Sequence, residues 1–290
     1  MASTRDIVRR IKSVRNTAQI TKAMQMVAAS KMRRAQQAAL AGRPYVALMN
    51  EVLGSVVFRA GDFTHPLMEK RGGPKRCLIL VSTDRGLCGA LNSNLFREAA
   101  RFEPVSTVFV AAGRKAAQYI ARTRRKLAAE FTYKDAPLFG EARAISRFAC
   151  QMFLDGEVDR VDVLSTSFVS TLVQKPQVRP FLPIGEIKPV AAGLPEAESE
   201  LMRGVTEFLF EPNVEMVLGA LLPHSLNFQL YHILLEAKAS EQSARMVAMK
   251  NASDNASQLI KDLTLDYNKM RQSNITRELL EIASAQMGMG

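Results

Sequence analysis

Apolar and small residues recur with a three–four alternation along the start of the chain: Ile7, Ile11, Val14, Ala18, Thr21, Ala28, Met32, Ala35 and Ala39. No glycine or proline interrupts 1–41, and the spacing predicts a helix with one apolar seam. Ser3 or Thr4 suits its N-cap, with Asp6 in the first turn. The pattern continues past Gly42 and Pro44 through Tyr45, Leu48, Val52 and Val56, with a bend expected at Pro44. The segment 225–286 has the same grammar and also lacks glycine and proline. As one helix it would be roughly 90 Å long. A heptad register runs through Phe228, Tyr231, Leu235, Lys238, Gln242, Arg245, Met249, Ala252, Ala256, Leu259, Leu263, Asp266, Met270, Ser273, Arg277 and Leu280. Six of these positions are polar or charged, and a permanent zipper avoids unpaired charge on its seam. The expectation is a helix only partly buried by its own chain, with surface left for other proteins.

The middle of the chain reads differently. Segment 61–75, with Pro66, Gly72, Gly73 and Pro74, reads as a linker. Strands are expected at 77–82, 106–111, 127–133, 161–168 and 178–184, and helices at 90–101, 115–124 and 141–154. Strand and helix alternating in this way imply a Rossmann-like α/β domain with a largely parallel sheet. Segment 185–199 reads as an exposed loop and 205–210 as a strand, and Pro212 suits the first turn of a helix. The fold class is therefore α/β, with a long antiparallel coiled coil of the N- and C-terminal helices beside the sheet domain. The divisions are 1–60, 75–190 and 211–287, and the middle one is expected to fold without the helices.

Charge adds a direction. The formal net charge is +11 and the pI about 9.8. Ten Lys or Arg fall within 1–43 against the single acid Asp6, so the first helix calls for an acidic protein surface, an anionic membrane or nucleic acid. The absence of Trp and the 7% aromatic content weaken base stacking. Cys77, Cys88 and Cys150 are an odd set without metal-ligand spacing. No apolar run is long enough to span a bilayer.

Candidate chemistry is sparse. The run STDRGLCG at 82–89 sits between a strand and a helix, where α/β domains place phosphate loops. It lacks the three-glycine fingerprint, and no Gly-Lys-Ser/Thr occurs in the chain. Its glycines suit a tight turn. Cys88 near a helix N-terminus is a candidate activated thiol, but no His lies beside it in sequence. His232 and Glu236 share a helical face without a second His to complete a zinc motif. Neither a catalytic centre nor a cofactor or metal site can be read from the residues.

Three stretches carry a resemblance. ITKAMQMVAASKMR at 20–33 resembles the N-terminal signature of the gamma subunit of F-type ATP synthase. STDRGLCG at 82–89 with Leu91 and Asn92 is similar to its central motif. ASEQSARMVAMK at 239–250 and ITREL at 275–279 resemble its C-terminal signature. They span nearly the whole chain in the family's order.

The resemblance implies a non-catalytic rotor. The terminal helices would form a shaft inside a ring of alpha and beta subunits. The α/β domain would sit at the foot, against the epsilon subunit and the membrane rotor c-ring. Rotation would couple proton translocation to ATP synthesis, with nucleotide sites on the ring and no cofactor here. Lys22 and Met24 would meet the catalytic subunits, as would Arg245, Gln272 and Thr276 on the opposing helix. The family's alignment sets Met24 near Gln272 and Met32 near Leu263 or Thr264. An unextended Met1 and a short linker favour a bacterial enzyme, peripheral to the inner membrane on its cytoplasmic side. Two readings compete: a coiled-coil nucleic-acid binder using the basic helix, and an enzyme using the 84–89 loop on a nucleotide.

Overall fold

The structure is a computed structural model that describes residues 4–59, 65–185 and 213–287. The expected strand at 205–210 and most of the loop at 185–199 lie outside them. Element order is α1 (Thr4–Arg59), β1 (Arg76–Val81), α2 (Leu91–Ala100), β2 (Thr107–Ala112), α3 (Arg114–Arg122), β3 (Leu127–Phe131), α4 (Phe139–Leu154), β4 (Arg160–Phe168), β5 (Gln174–Leu182) and α5 (Val214–Met287). The described residues fall into two compact units, Ser30–Ala244 and Met1–Ala29 with Arg245–Gly290.

The first unit holds a five-stranded sheet in the order β3-β2-β1-β4-β5. β1 lies at its centre, parallel to β2 and β4, and β3 runs parallel to β2. Only β5 is antiparallel, joined to β4 by a hairpin. β1 is buried on both faces, which is why it reads as an unbroken apolar run. Its period-2 alternation feeds two cores. Cys77, Ile79 and Val81 face one, with Val110, Ala112, Val161 and Val163. Leu78 and Leu80 face the other, with Phe109, Ala111 and Leu164. Helices α2 and α3 cover the second face through Leu95, Ala99, Ala116 and Ile120.

The first face is covered by α4 and by the start of α5. Leu226, Leu230, Ile233, Leu234 and Ala237 pack into it beside Ile145, Ala149 and Phe153. In the full chain, segment 75–190 therefore shares the cover of this sheet face between its own α4 and the start of α5. The stretch 230–235 is apolar nearly all round, the signature of a buried helix rather than a seam. The supposed linker is also docked: Leu67 is part of this core, and its carbonyl accepts from the Ile184 N–H. α1 runs antiparallel to α5 within this unit. Gly42 lies against Phe228, Tyr45 meets His224, and Leu53 packs with Leu218 and Leu222.

α5 begins at an Asn213 cap, whose Oδ1 accepts from the Met216 N–H at 2.8 Å. It passes unbroken through Gly219 and Pro223, two residues that left the sequence reading of these turns open.

In the second unit, Thr21 Oγ1 and Ser253 Oγ lie 2.7 Å apart. Counted antiparallel from this contact, Ala18 falls at Ala256, Val14 at Ile260, Ile11 at Leu263 and Ile7 at Tyr267. All eight are buried or half-buried. The α1 seam is the one read from sequence. The α5 seam is not: it runs Met249, Ser253, Ala256, Ile260, Leu263, Tyr267, Met270 and Asn274. Leu259, Asp266 and Ser273, placed on the seam by sequence, are exposed.

Candidate functional site

The glycine-rich loop at 82–89 is built to hold its own neighbours. Ser82 Oγ accepts from the Ala116 N–H at 2.7 Å, the Thr83 carbonyl from the Lys115 N–H, and Asp84 Oδ1 from the Arg114 N–H at 2.9 Å. These are the donors that a helix N-terminus would otherwise offer to an anion. Gly113, at φ 106°, lets α3 start so close that a Cβ there would stand 2.4 Å from the Ser82 carbonyl oxygen. Asn92 donates to Thr83 Oγ1 at 2.8 Å and to Cys88 Sγ at 3.4 Å. Cys88 is buried. Through Ser82, Thr83 and Asp84 the loop caps α3, and through Thr83 and Cys88 it braces α2 at Asn92.

The turns of α5 carrying the third motif are equally committed. Glu236, Ser240 and Ser243 lie on one helical face and dock on the β4–β5 hairpin. Glu236 accepts from Ser167 Oγ at 2.6 Å, Arg179 Nη2 at 2.7 Å and the Phe168 N–H. Ser240 and Ser243 donate to the carbonyls of Thr166 and Thr171. Burial pushes the Glu236 carboxyl up, but the hydrogen bonds from Ser167 and Arg179 outweigh it and hold it below its usual range.

Lys238 is 2% exposed. Its Nζ lies 2.9 Å from Glu241, 3.5 Å from Asp135 and 5.1 Å from the centre of the Tyr133 ring. The other oxygen of Asp135 accepts from Lys31 Nζ at 2.5 Å. Hydrogen bonding to Lys31 holds the Asp135 carboxyl low against burial, and Lys238 adds to the pull. Tyr133 donates to the Ser82 carbonyl at 2.9 Å, and burial pushes its phenol well above the ordinary tyrosine range. An exposed ion pair contributes about 0–1 kcal/mol. Removing one partner of a buried pair costs about 3–5 kcal/mol. Lys238 thus matters more to this cluster than Lys31.

Of the residues expected to meet a ring, Lys22, Gln272 and Thr276 are exposed, Met24 is half-buried and Arg245 is buried. They do not converge. With Thr21 on Ser253, Met24 is separated from Gln272 by about 33 Å along the helix pair, and their expected pairing is corrected. In the other unit, Lys31 and Lys238 both reach Asp135. Leu263, expected beside Met32, falls opposite Ile11 when counted from the Thr21–Ser253 contact.

Sequence reasoning missed a second feature. Beyond Asn274, Ile275, Leu279, Leu280 and Ile282 are all exposed. Three of them repeat at i, i+4 and i+7 without a partner among the described residues. That repeat, continuing past the point where α1 begins, was the available signal. Exposed Arg5, Arg9, Arg10, Lys12, Arg15 and Lys22 ring the α1 side. Among the described residues no group of His, Cys, Asp or Glu has the geometry to hold a metal, and no helix is long and apolar enough to cross a membrane.

Residues 3–288 match the family model described as ATP synthase. The chain is 49% identical to the ATP synthase gamma chain of Opitutus terrae, over 99% of this chain and 98% of the relative. It is 45% identical to that of Methylacidiphilum infernorum over the full length of both. The chain belongs to the ATP synthase gamma chain family. Solved structures agree on the fold. A chain in the Tetrahymena thermophila mitochondrial ATP synthase central stalk and c-ring superposes with a TM-score of 0.59 at 27% identity, covering 81% of this chain and 99% of that one. One in the Euglena gracilis mitochondrial ATP synthase gives 0.67 at 20% identity, covering 99% and 94%. Gamma chains are non-catalytic components of the synthase, which accounts for a glycine-rich loop spent on capping. Nothing in the comparisons supports nucleic-acid binding.

Proposed function

We propose that this chain is the axle and foot of an F-type ATP synthase, coupling proton translocation to ATP synthesis and hydrolysis by turning within a catalytic ring of alpha and beta subunits. Segments 1–60 and 211–287 form the axle, and 75–190 forms the foot. The observation that carries this reading is the pairing around Thr21 and Ser253: a narrow buried seam between two helices whose remaining surface is exposed and basic. A surface that must be remade at several angles favours polar, shallow contacts over deep apolar ones. Lys22, Met24, Arg245, Gln272 and Thr276 are the proposed ring contacts. Arg245 offers the least surface of the five, and Gln272 and Thr276 act at a separate level from Lys22 and Met24. The apolar repeat at Ile275, Leu279 and Ile282 supports an apolar bearing at the tip. The foot meets the epsilon subunit and the c-ring, on the cytoplasmic face of a bacterial inner membrane.

The test is a disulfide between Lys22→Cys and a cysteine on the ring of the assembled enzyme. Complete cross-linking should stop ATP hydrolysis, and reduction should restore it. Full hydrolysis with the cross-link intact refutes rotation of this chain.

A further inference from the structure

A rotor transmits torque only as well as its foot is fixed to its axle, and the contacts that fix it in this chain are unevenly distributed. The apolar packing of α5 against the sheet fastens one helix. α1 has no counterpart among the elements that fill the two sheet cores. In the first unit its polar tie to the sheet domain is Lys31, and the group at the other end is Asp135 in the β3–α4 loop.

We propose that Asp135 is a torque-positioning residue: one carboxylate that fastens both long helices to the α/β domain. This inference rests on the rotor reading above. One oxygen takes Lys31 of α1 and the other faces Lys238 of α5. Lys238 is itself fixed by Glu241 and by the face of Tyr133, and Tyr133 reaches the Ser82 carbonyl at the carboxyl end of β1. The chain of contacts therefore passes from α1 through a loop carboxylate to α5 and into the central strand of the sheet. Two ammonium groups and two carboxylates balance within it. That balance lets Lys238 sit buried, which stiffens the α5 arm, while the Lys31 arm lies at the surface and acts by fixing where α1 sits on the loop. Without Asp135, α1 keeps its seam with α5 but loses its tie to the foot. Twist applied at the foot is then carried by α5 alone.

The test uses the chain assembled with its catalytic ring. The ring is immobilised and a probe is attached to the foot through Val105→Cys, a site 94% exposed. Angular fluctuation of the probe is recorded while the enzyme waits for ATP. Asp135→Asn should broaden the angular distribution, Asp135→Glu should restore the wild-type width, and unloaded hydrolysis should stay at the wild-type rate. Lys31→Gln removes only the surface arm and should broaden the distribution in the same sense. It decides the matter if Asp135→Asn fails to assemble. A merely stabilising role would lower the melting temperature and leave the angular width of assembled enzyme unchanged, and that result overturns the proposal. A wild-type probe that never rotates on ATP overturns the rotor reading instead.

Discussion

Thr21 of α1 and Ser253 of α5 meet hydroxyl to hydroxyl at 2.7 Å. One hydroxyl donates to the other, and the one that accepts gives its own proton to a carbonyl of its helix, Ala18 for Thr21 or Met249 for Ser253. Two small polar side chains thus occupy the seam with their hydrogen bonds satisfied, and they set the register of the pair.

That register is open to a direct check. Thr21→Cys with Ser253→Cys should oxidise readily to an intramolecular disulfide, since bridging needs Cα atoms within about 7 Å. Met24→Cys with Gln272→Cys should remain reduced under the same conditions. Intact-mass measurement before and after mild oxidation distinguishes the pairs, and efficient bridging of the second pair contradicts the register.

Gly113 should resist substitution. Gly113→Ala places a Cβ 2.4 Å from the Ser82 carbonyl oxygen at a φ of 106°, so backbone strain and overlap add. The expected loss is about 2–4 kcal/mol, read as a lower urea midpoint. Gly140→Ala, where a new Cβ meets nothing within 4 Å, is the control and should shift the midpoint little.

Acid should loosen the dock of α5 on the β4–β5 hairpin. The folded Glu236 carboxyl titrates below its ordinary value of 4.5. Its contribution to stability is therefore present above that value and is lost as pH falls through the lower folded one. Stability measured from pH 7 downwards should decline on this limb, and Glu236→Gln should be less stable at neutral pH with a shallower decline. An acid limb of unchanged slope in that variant assigns the loss to other groups.

The strands of the sheet and helices α2 to α4 were legible because period-2 and period-3.6 patterns alternate cleanly between glycine-rich turns. β5 begins earlier than its apolar residues suggest: as an edge strand it tolerates Gln174, Lys175 and Pro176. The α5 seam was misphased by one position at alternate steps. Ala252 beside Ser253, and Leu259 beside Ile260, offer two equivalent continuations from Met249. Asp266 beside Tyr267 breaks the tie, since the phenol ring is the one half-buried. The polar positions Lys238, Gln242 and Arg245 are buried all the same. Lys238 pairs with Glu241 on its own helix and reaches Asp135 on a loop far away in sequence, where no periodicity can point. The clustering of Lys31, Tyr133, Asp135 and Lys238 was invisible for the same reason.

The two prolines of β5 have a consequence for the free subunit. Pro176 and Pro180 are four residues apart on one strand, opposite Thr166 and Asp162. A residue without an N–H keeps its place in such a ladder by turning its nitrogen away from the partner strand. The outward edge therefore lacks two of the donors that a docking strand would need. A newly made copy not yet in its complex offers other copies a broken template on that side, and edge-to-edge aggregation of the unassembled chain is discouraged by the strand's own composition.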